Sequence, residues 1–225
     1  MKCTLLIGAA RPQKLPALVC EHSIRRYASV SIDIIHTFDE QAPEPRKKEH
    51  RSRTGFSFQR FTLPKRAGYE GLGVYLDSDM IVLDDVAELF GSIPGEMSIA
   101  CTKNLPSVFA VRCDRVHWIA NNFLIALDAG MLSYARLMML DVFGEFLSKT
   151  IPNSWNALDE CPPGTKLVHY TNMLKQCWLT NQKHRPVDDI WKAELRAALK
   201  DGSITMETVT EEIRLGHVVP ECVQA

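Results

Sequence analysis

Val74-Tyr75-Leu76-Asp77-Ser78-Asp79 is the stretch that decides how this chain is read. Three apolar residues in a row, approached through Gly68, Gly71 and Gly73 and followed at once by polar residues, predict a short buried strand. Ligands of open α/β sheets bind beyond the carboxyl ends of the strands, so Asp77 and Asp79 stand where chemistry is expected. Two carboxylates two residues apart in extended backbone point the same way, and both can then reach one cation. Left bare they would repel each other, and a divalent cation between them removes the repulsion.

Working outward, residues 4–7 read as another buried strand, followed by a close turn at Gly8-Ala9-Ala10. From Pro12 the spacing of Leu15, Leu18, Val19 and His22 predicts a helix, with His22 a core histidine satisfied by its neighbours. Residues 31–36 form a second strand in this reading, and the basic stretch 46–53 is a solvated loop. Phe56, Gln59, Arg60 and Leu63 fall at helical spacing, disturbed at Pro64. Asp84-Asp85 marks a helix start, and 98–101, 108–111 and 166–170 are further strands. Helices are expected over 131–149, 188–200 (Trp191, Leu195, Leu199, then Gly202) and 206–215. Alternation of strand and helix through the first ninety residues predicts an α/β fold with a largely parallel sheet covered by helices.

The chain has 225 residues, 46% hydrophobic and 24% charged, with 26 Lys and Arg against 27 Asp and Glu. That is ample apolar material for a packed core, and the length fits one domain over 1–225 with a helical C-terminal extension from about residue 186. A formal charge of −1 excludes bulk affinity for nucleic acid or an anionic membrane, so any polyanion site is local. Seven cysteines without a CxxC pair predict reduced thiols and a cytoplasmic setting. No apolar run reaches roughly 18 residues, so no transmembrane segment is expected. Self-association is left open by these numbers.

Read together, several segments resemble glycosyltransferase family 8. They are the arginine-bearing segment running through Arg53, Phe56, Arg60 and Lys65, then Tyr75-Leu76-Asp77-Ser78-Asp79, and downstream Trp155-Asn156 and His169 to Trp178 with Lys175 between them. They follow one another in the family's order, and Leu15 to Ile24 is similar to its opening helix. The resemblance implies a GT-A fold, a Rossmann-like mixed sheet flanked by helices. It also implies transfer of a hexose from a nucleoside diphosphate sugar, a UDP-sugar above all, to a glycan, lipid or protein acceptor with retention of configuration. Carried over by position, Asp77 contacts the ribose and the ion, Asp79 binds the ion, and His169 is its third protein ligand. Lys175 meets the diphosphate, Arg60 and Lys65 are donor-binding candidates, and Ile7 and Gly8 lie against the nucleotide. An imidazole beside two carboxylates favours Mn²⁺, with Mg²⁺ as the substitute.

The chain departs from the family at three places. Gly8-Ala9-Ala10-Arg11 stands where an aspartate commonly helps to read the base, and no Asp-Gln pair precedes Trp155. Arg112-Cys113 replaces the usual asparagine or aspartate, and Arg112 is expected to reshape the sugar pocket. Two other classes compete. A nucleotidyltransferase of related fold would carry a glycine-rich loop after the first strand, which Ile7 to Arg11 lacks. A non-catalytic nucleotide-sugar-binding homologue would keep the fold without turnover.

Overall fold

The computed structural model describes residues 2–52, 54–180 and 184–223; Arg53, part of the basic stretch, lies outside the described residues. The chain opens with β1 (Cys3–Gly8), α1 (Lys14–Tyr27) and β2 (Asp33–His36). A 3-10 helix over Ser57–Thr62 runs into α2 (Leu63–Arg66), with Pro64 in its first turn, where a missing N–H costs nothing. Next come β3 (Leu72–Asp77), β4 (Met80–Val82), α3 (Ala87–Phe90), β5 (Ile99–Thr102) and β6 (Phe109–Arg112). Then follow α4 (Ala120–Asp128), α5 (Tyr134–Met138), β7 (Leu147–Ile151), β8 (Ala157–Leu158) and β9 (Leu167–His169). Two last α-helices, α6 (Asp188–Asp201) and α7 (Met206–Arg214), are followed by a 3-10 turn over Pro220–Val223.

Six strands form the main sheet in the order β2-β1-β3-β6-β5-β7. Pairing is parallel among β2, β1 and β3 and between β5 and β7, but β6 runs antiparallel to both its neighbours. The sheet is therefore mixed rather than largely parallel. A smaller sheet, β4-β9-β8, takes over where β3 ends.

Strand parity sorts the apolar residues into two cores. Leu5, Ile7, Val74 and Leu76 face α1 and α3, with Ala17, Cys20, Ile24 and Leu89 opposite. Leu6 and Tyr75 face the other way, onto Phe58, Phe61, Phe109 and Trp118. A third core lies between α1, the small sheet and the C-terminal helices, where Val19, Ile81, Val168, Trp178, Trp191 and Val209 meet. Full burial of each such side chain is worth about 1.5–3 kcal/mol, so the α6 and α7 segment is held by packing and not by its last turns. His22 on α1 meets that segment through both ring nitrogens, at 2.5 Å from Glu194 and 2.8 Å from Asp201.

The helix expected over 131–149 does not form. The chain gives α5, then a short 3-10 segment over Asp141–Phe146, then β7 at the sheet edge. Leu140 at φ 58° and Gly144 at φ 51° break it, and Leu137, Leu140 and Phe143 still turn inward because the aromatic core around Trp118 takes them. Among the described residues, no helix is long and apolar enough to cross a membrane.

Candidate metal centre

At the carboxyl end of β3 the chain leaves the main sheet through a turn at Ser78-Asp79 and enters β4. The two aspartates thus share a direction because of that turn, and not because the strand continues as the spacing suggested. Two backbone bonds and a strand pairing pin it: Ser78 N–H donates to the Gly8 carbonyl, Tyr170 N–H to that of Asp79, and β4 pairs antiparallel with β9. The β4–β9 register sets Met80 opposite His169, which brings the imidazole to the aspartates across 90 residues of chain.

Asp77, Asp79 and His169 offer one ligand atom each within 4.8 Å of one another, and among the described residues they are the one such cluster. His169 Nε2 stands 3.2 Å from Asp79 Oδ1 and 3.9 Å from Asp77 Oδ2. The shorter contact is an ion-pair distance without the alignment of a hydrogen bond, and Asp79 Oδ1 is buried with no hydrogen-bond partner. Buried carboxylate oxygens are rarely left so. An orphaned oxygen, a second carboxylate and an imidazole nitrogen converging on one point are a donor set that fits a divalent cation.

The ring is oriented from behind. Asn156 Nδ2 donates to the Leu105 carbonyl at 2.8 Å, which fixes the amide so that its Oδ1 accepts from His169 Nδ1 at 2.9 Å. With Nδ1 carrying that proton, the neutral ring presents the Nε2 lone pair to the aspartates. Burial disfavours protonation of His169, yet Asp79, Asp77 and Asp159 together outweigh it and hold its pKa above the ordinary histidine value. The same negative field reaches Cys20: burial, then Asp79, pushes that thiol up.

Asp77 is positioned from the opposite face of the strand's core. Tyr75, two residues earlier and on the same side, donates its phenol proton to Asp77 Oδ1 at 2.6 Å, and Arg60 Nη2 reaches the same oxygen at 3.4 Å. Arg60 is buried, lies over the Tyr75 ring at 4.9 Å, and also donates to the Ser57 and Pro106 carbonyls. Burial alone would lower the Arg60 pKa, but Tyr75 and Asp77 raise it. Burial and then Asp77 push the Tyr75 phenol well above its usual range. Gly8 completes the arrangement. A Cβ there would sit 2.1 Å from the Tyr75 hydroxyl, so only glycine leaves room for the phenol that holds Asp77.

Of the other residues singled out, Ile7 is fully buried in the core facing α1 and has only its main chain to offer. Lys175 lies exposed in the turn after β9, next to Gln176, whose Nε2 donates to Asp79 Oδ2 at 3.0 Å and to the Tyr170 carbonyl at 2.6 Å. Lys65 is placed elsewhere, in a groove of about 510 Å³ shared with Gln59, Tyr69 and Trp118 and with no member of the cluster. The Arg112 guanidinium is taken up by the carbonyls of Ile93, Gly95 and Met97. Tyr75 and Gln176 are not among the site residues that the sequence suggests. The i, i+2 parity of Tyr75 with Asp77 is a signal for the first, whereas the contact of Gln176 with Asp79 spans 97 positions and leaves none.

No family model matches the chain. Over 104 residues, 44% of this chain and 40% of the relative, it is 27% identical to Protein CDI of Arabidopsis thaliana. Among solved structures it is similar to the glycosyltransferase GlyE of Streptococcus pneumoniae TIGR4, with a TM-score of 0.62 and 13% identity over 90% of this chain and 64% of that one. It is also similar to the galactosyltransferase LgtC in complex with donor and acceptor sugar analogs, with a TM-score of 0.60 and 13% identity over 91% of this chain and 100% of that one. The chain spans less than two thirds of the length of Protein CDI and of GlyE. At these identities the likeness is one of fold, and the fold is GT-A, that of nucleotide-diphospho-sugar transferases, with a candidate Asp-Asp-His metal cluster at the strand ends.

Proposed function

We propose that this protein is a metal-dependent glycosyltransferase that moves a hexose from a nucleoside diphosphate sugar, a UDP-sugar, to a glycan, lipid or protein acceptor with retention of configuration. The observation that carries the reading is the buried Asp79 Oδ1, without a hydrogen bond, facing His169 Nε2 and Asp77 at the carboxyl end of β3. Asp77, Asp79 and His169 would hold the ion, Mn²⁺ in preference to Mg²⁺ because one donor is a nitrogen. When bound, the ion would offset the negative charge that grows on the departing diphosphate. Tyr75 and Arg60 aim the Asp77 carboxylate through hydrogen bonds to its Oδ1, and Asn156 keeps the His169 lone pair turned toward it. Lys175, exposed beside Gln176, is assigned to the diphosphate. Ile7 and Gly8 meet the nucleotide through their main chain. Lys65, which lines a separate groove, is left out of this assignment. Residues 1–225 act in this reading as one domain with a helical C-terminal extension, and seven cysteines without a CxxC pair are the ground for proposing a cytoplasmic setting.

The test is a thermal-shift panel of nucleoside diphosphate sugars with and without Mn²⁺, followed by calorimetry on the best of them. A ligand that binds only the folded state raises apparent stability by RT ln(1 + [L]/Kd). Stabilisation by a UDP-sugar that needs Mn²⁺, and that disappears in Asp79→Ala while the fold survives, is the expected result. Equal melting with every donor, with or without the metal, would sink the assignment. Consumption of a nucleoside triphosphate with release of pyrophosphate would replace it by a nucleotidyltransferase, and metal-dependent donor binding without release of nucleoside diphosphate would make the protein a non-catalytic binder.

A further inference from the structure

Between His169 and Gln176 the chain makes a short strap, Thr171 to Lys175, that has no regular secondary structure to hold it. Both its ends touch Asp79, through His169 Nε2 on one side and Gln176 Nε2 on the other. What fixes the strap is a polar clasp from outside the cluster. Asp159 N–H donates to the His169 carbonyl at 2.9 Å, while its carboxylate accepts from the Thr171 hydroxyl at 2.6 Å, the Asn172 N–H at 3.2 Å and Arg185 Nη1 at 3.0 Å. Arg185 Nη2 in turn donates to the Lys175 carbonyl and to Asp188 Oδ1, both at 2.8 Å, and so ties the far end of the strap to the first turn of α6. Asp159 sits at φ 56°, a left-handed conformation that a non-glycine residue keeps only when its surroundings impose it. A single carboxylate and a single guanidinium thus fix both ends of the segment that bears Lys175 and Gln176.

We propose that Asp159 and Arg185 are positioning residues for the cluster: they hold the strap in the one register in which the Gln176 carboxamide locks Asp79 and Lys175 is carried beside it. This rests on the metal-site reading above and adds to it two residues that touch none of the reacting groups. Neither replaces a ligand, so their loss is expected to weaken the site and not abolish it.

The experiment uses the full chain with two variants, Asp159→Asn and Arg185→Gln. Asparagine tolerates the left-handed backbone and keeps an oxygen for Thr171, so Asp159→Asn removes chiefly the charged link. Two quantities are read: hydrogen exchange of the amides from Asn172 to Gln176, and Mn²⁺ affinity by calorimetry with the metal alone. Loss of a hydrogen bond to a charged group corresponds to about a tenfold change in an equilibrium, so exchange of the strap amides should rise about tenfold in each variant. Mn²⁺ affinity should fall by a similar factor, with amides of β1 and β3 unaffected. Strap exchange identical to that of the parent protein in both variants, with the fold intact, overturns the proposal. Raised exchange with unchanged Mn²⁺ affinity overturns it too, because the clasp would then be structural only. If the parent protein binds no Mn²⁺, the metal-site reading fails, and the link from strap to cluster falls with it, while the exchange result still decides whether the clasp holds the strap. Global unfolding of one variant leaves the other to decide.

Discussion

Replacing Gly8 by alanine should disarm the metal centre from a residue that carries no functional group. The added methyl would lie 2.1 Å from the Tyr75 hydroxyl and 2.8 and 2.9 Å from two of its ring carbons, well inside contact distance. The phenol has no room to retreat: Tyr75 is fully buried, stacked on Phe109 at 5.2 Å between ring centroids, with Arg60 over its ring at 4.9 Å. Overpacking of this kind costs about 1–3 kcal/mol. Displacing the phenol also breaks its 2.6 Å bond to Asp77, a hydrogen bond to a charged group worth about 1.5–3 kcal/mol. These overlap, and a total near ~3 kcal/mol is expected, which for a chain of this size lowers Tm by about 6–12 °C. Circular-dichroism melting gives the stability, and calorimetry with Mn²⁺ gives the site. The decisive arm is the double variant. In a Tyr75→Phe background the 2.1 Å clash is gone and only the ring contacts remain, so Gly8→Ala should cost at least ~1 kcal/mol less there than in the parent. Additive effects of the two substitutions, or a Gly8→Ala protein that melts and binds Mn²⁺ like the parent, would refute the claim that Gly8 is present to seat the phenol over Asp77.

Two more outcomes follow from the site. Asn156→Ala removes the acceptor of His169 Nδ1–H and should weaken Mn²⁺ binding by about 10–100-fold, measured by calorimetry, with a smaller effect on melting in chelator. For pH the sign is set by His169, whose folded pKa lies above its unfolded value of 6.5 because the aspartates outweigh burial. Its contribution to the metal-free protein is therefore complete below pH about 6.5 and is lost as pH rises through the higher folded value. Melting in chelator should decline across that window while Mn²⁺ affinity rises across it, since the ion needs the neutral ring. Parallel trends in the two series would contradict the placement of His169 in the cluster.

Strand β3, its two aspartates and the α/β alternation were legible because they rest on local pattern: an apolar run, a polar stop, and periodicity that switches between strand and helix. The C-terminal helices were legible for the same reason, down to the left-handed Gly202 that ends α6. The region 131–149 misled because its apolar spacing suits a helix, whereas Leu140 and Gly144 adopt positive φ, with Leu140 buried in the aromatic core around Trp118 and Phe143. Lys65 and Arg112 show a different limit: a long cationic side chain goes to the nearest acceptor, which for Arg112 is a row of carbonyls before β5 that its sequence position does not reveal.

By itself, then, the sequence determined that two carboxylates end a buried strand, that a histidine ends another, and that the chain as a whole is too nearly neutral to hold a polyanion except locally. Whether those three residues meet was decided by tertiary structure alone, through the antiparallel register that sets Met80 against His169. So too were the supports: the Tyr75 phenol fitted over Gly8, the Asn156 amide behind the imidazole, and Gln176 reaching Asp79 from a strap clasped by Asp159 and Arg185. The physical reason is that a donor type is fixed by the residue, whereas its distance, its free lone pair and its desolvation are properties of what packs around it.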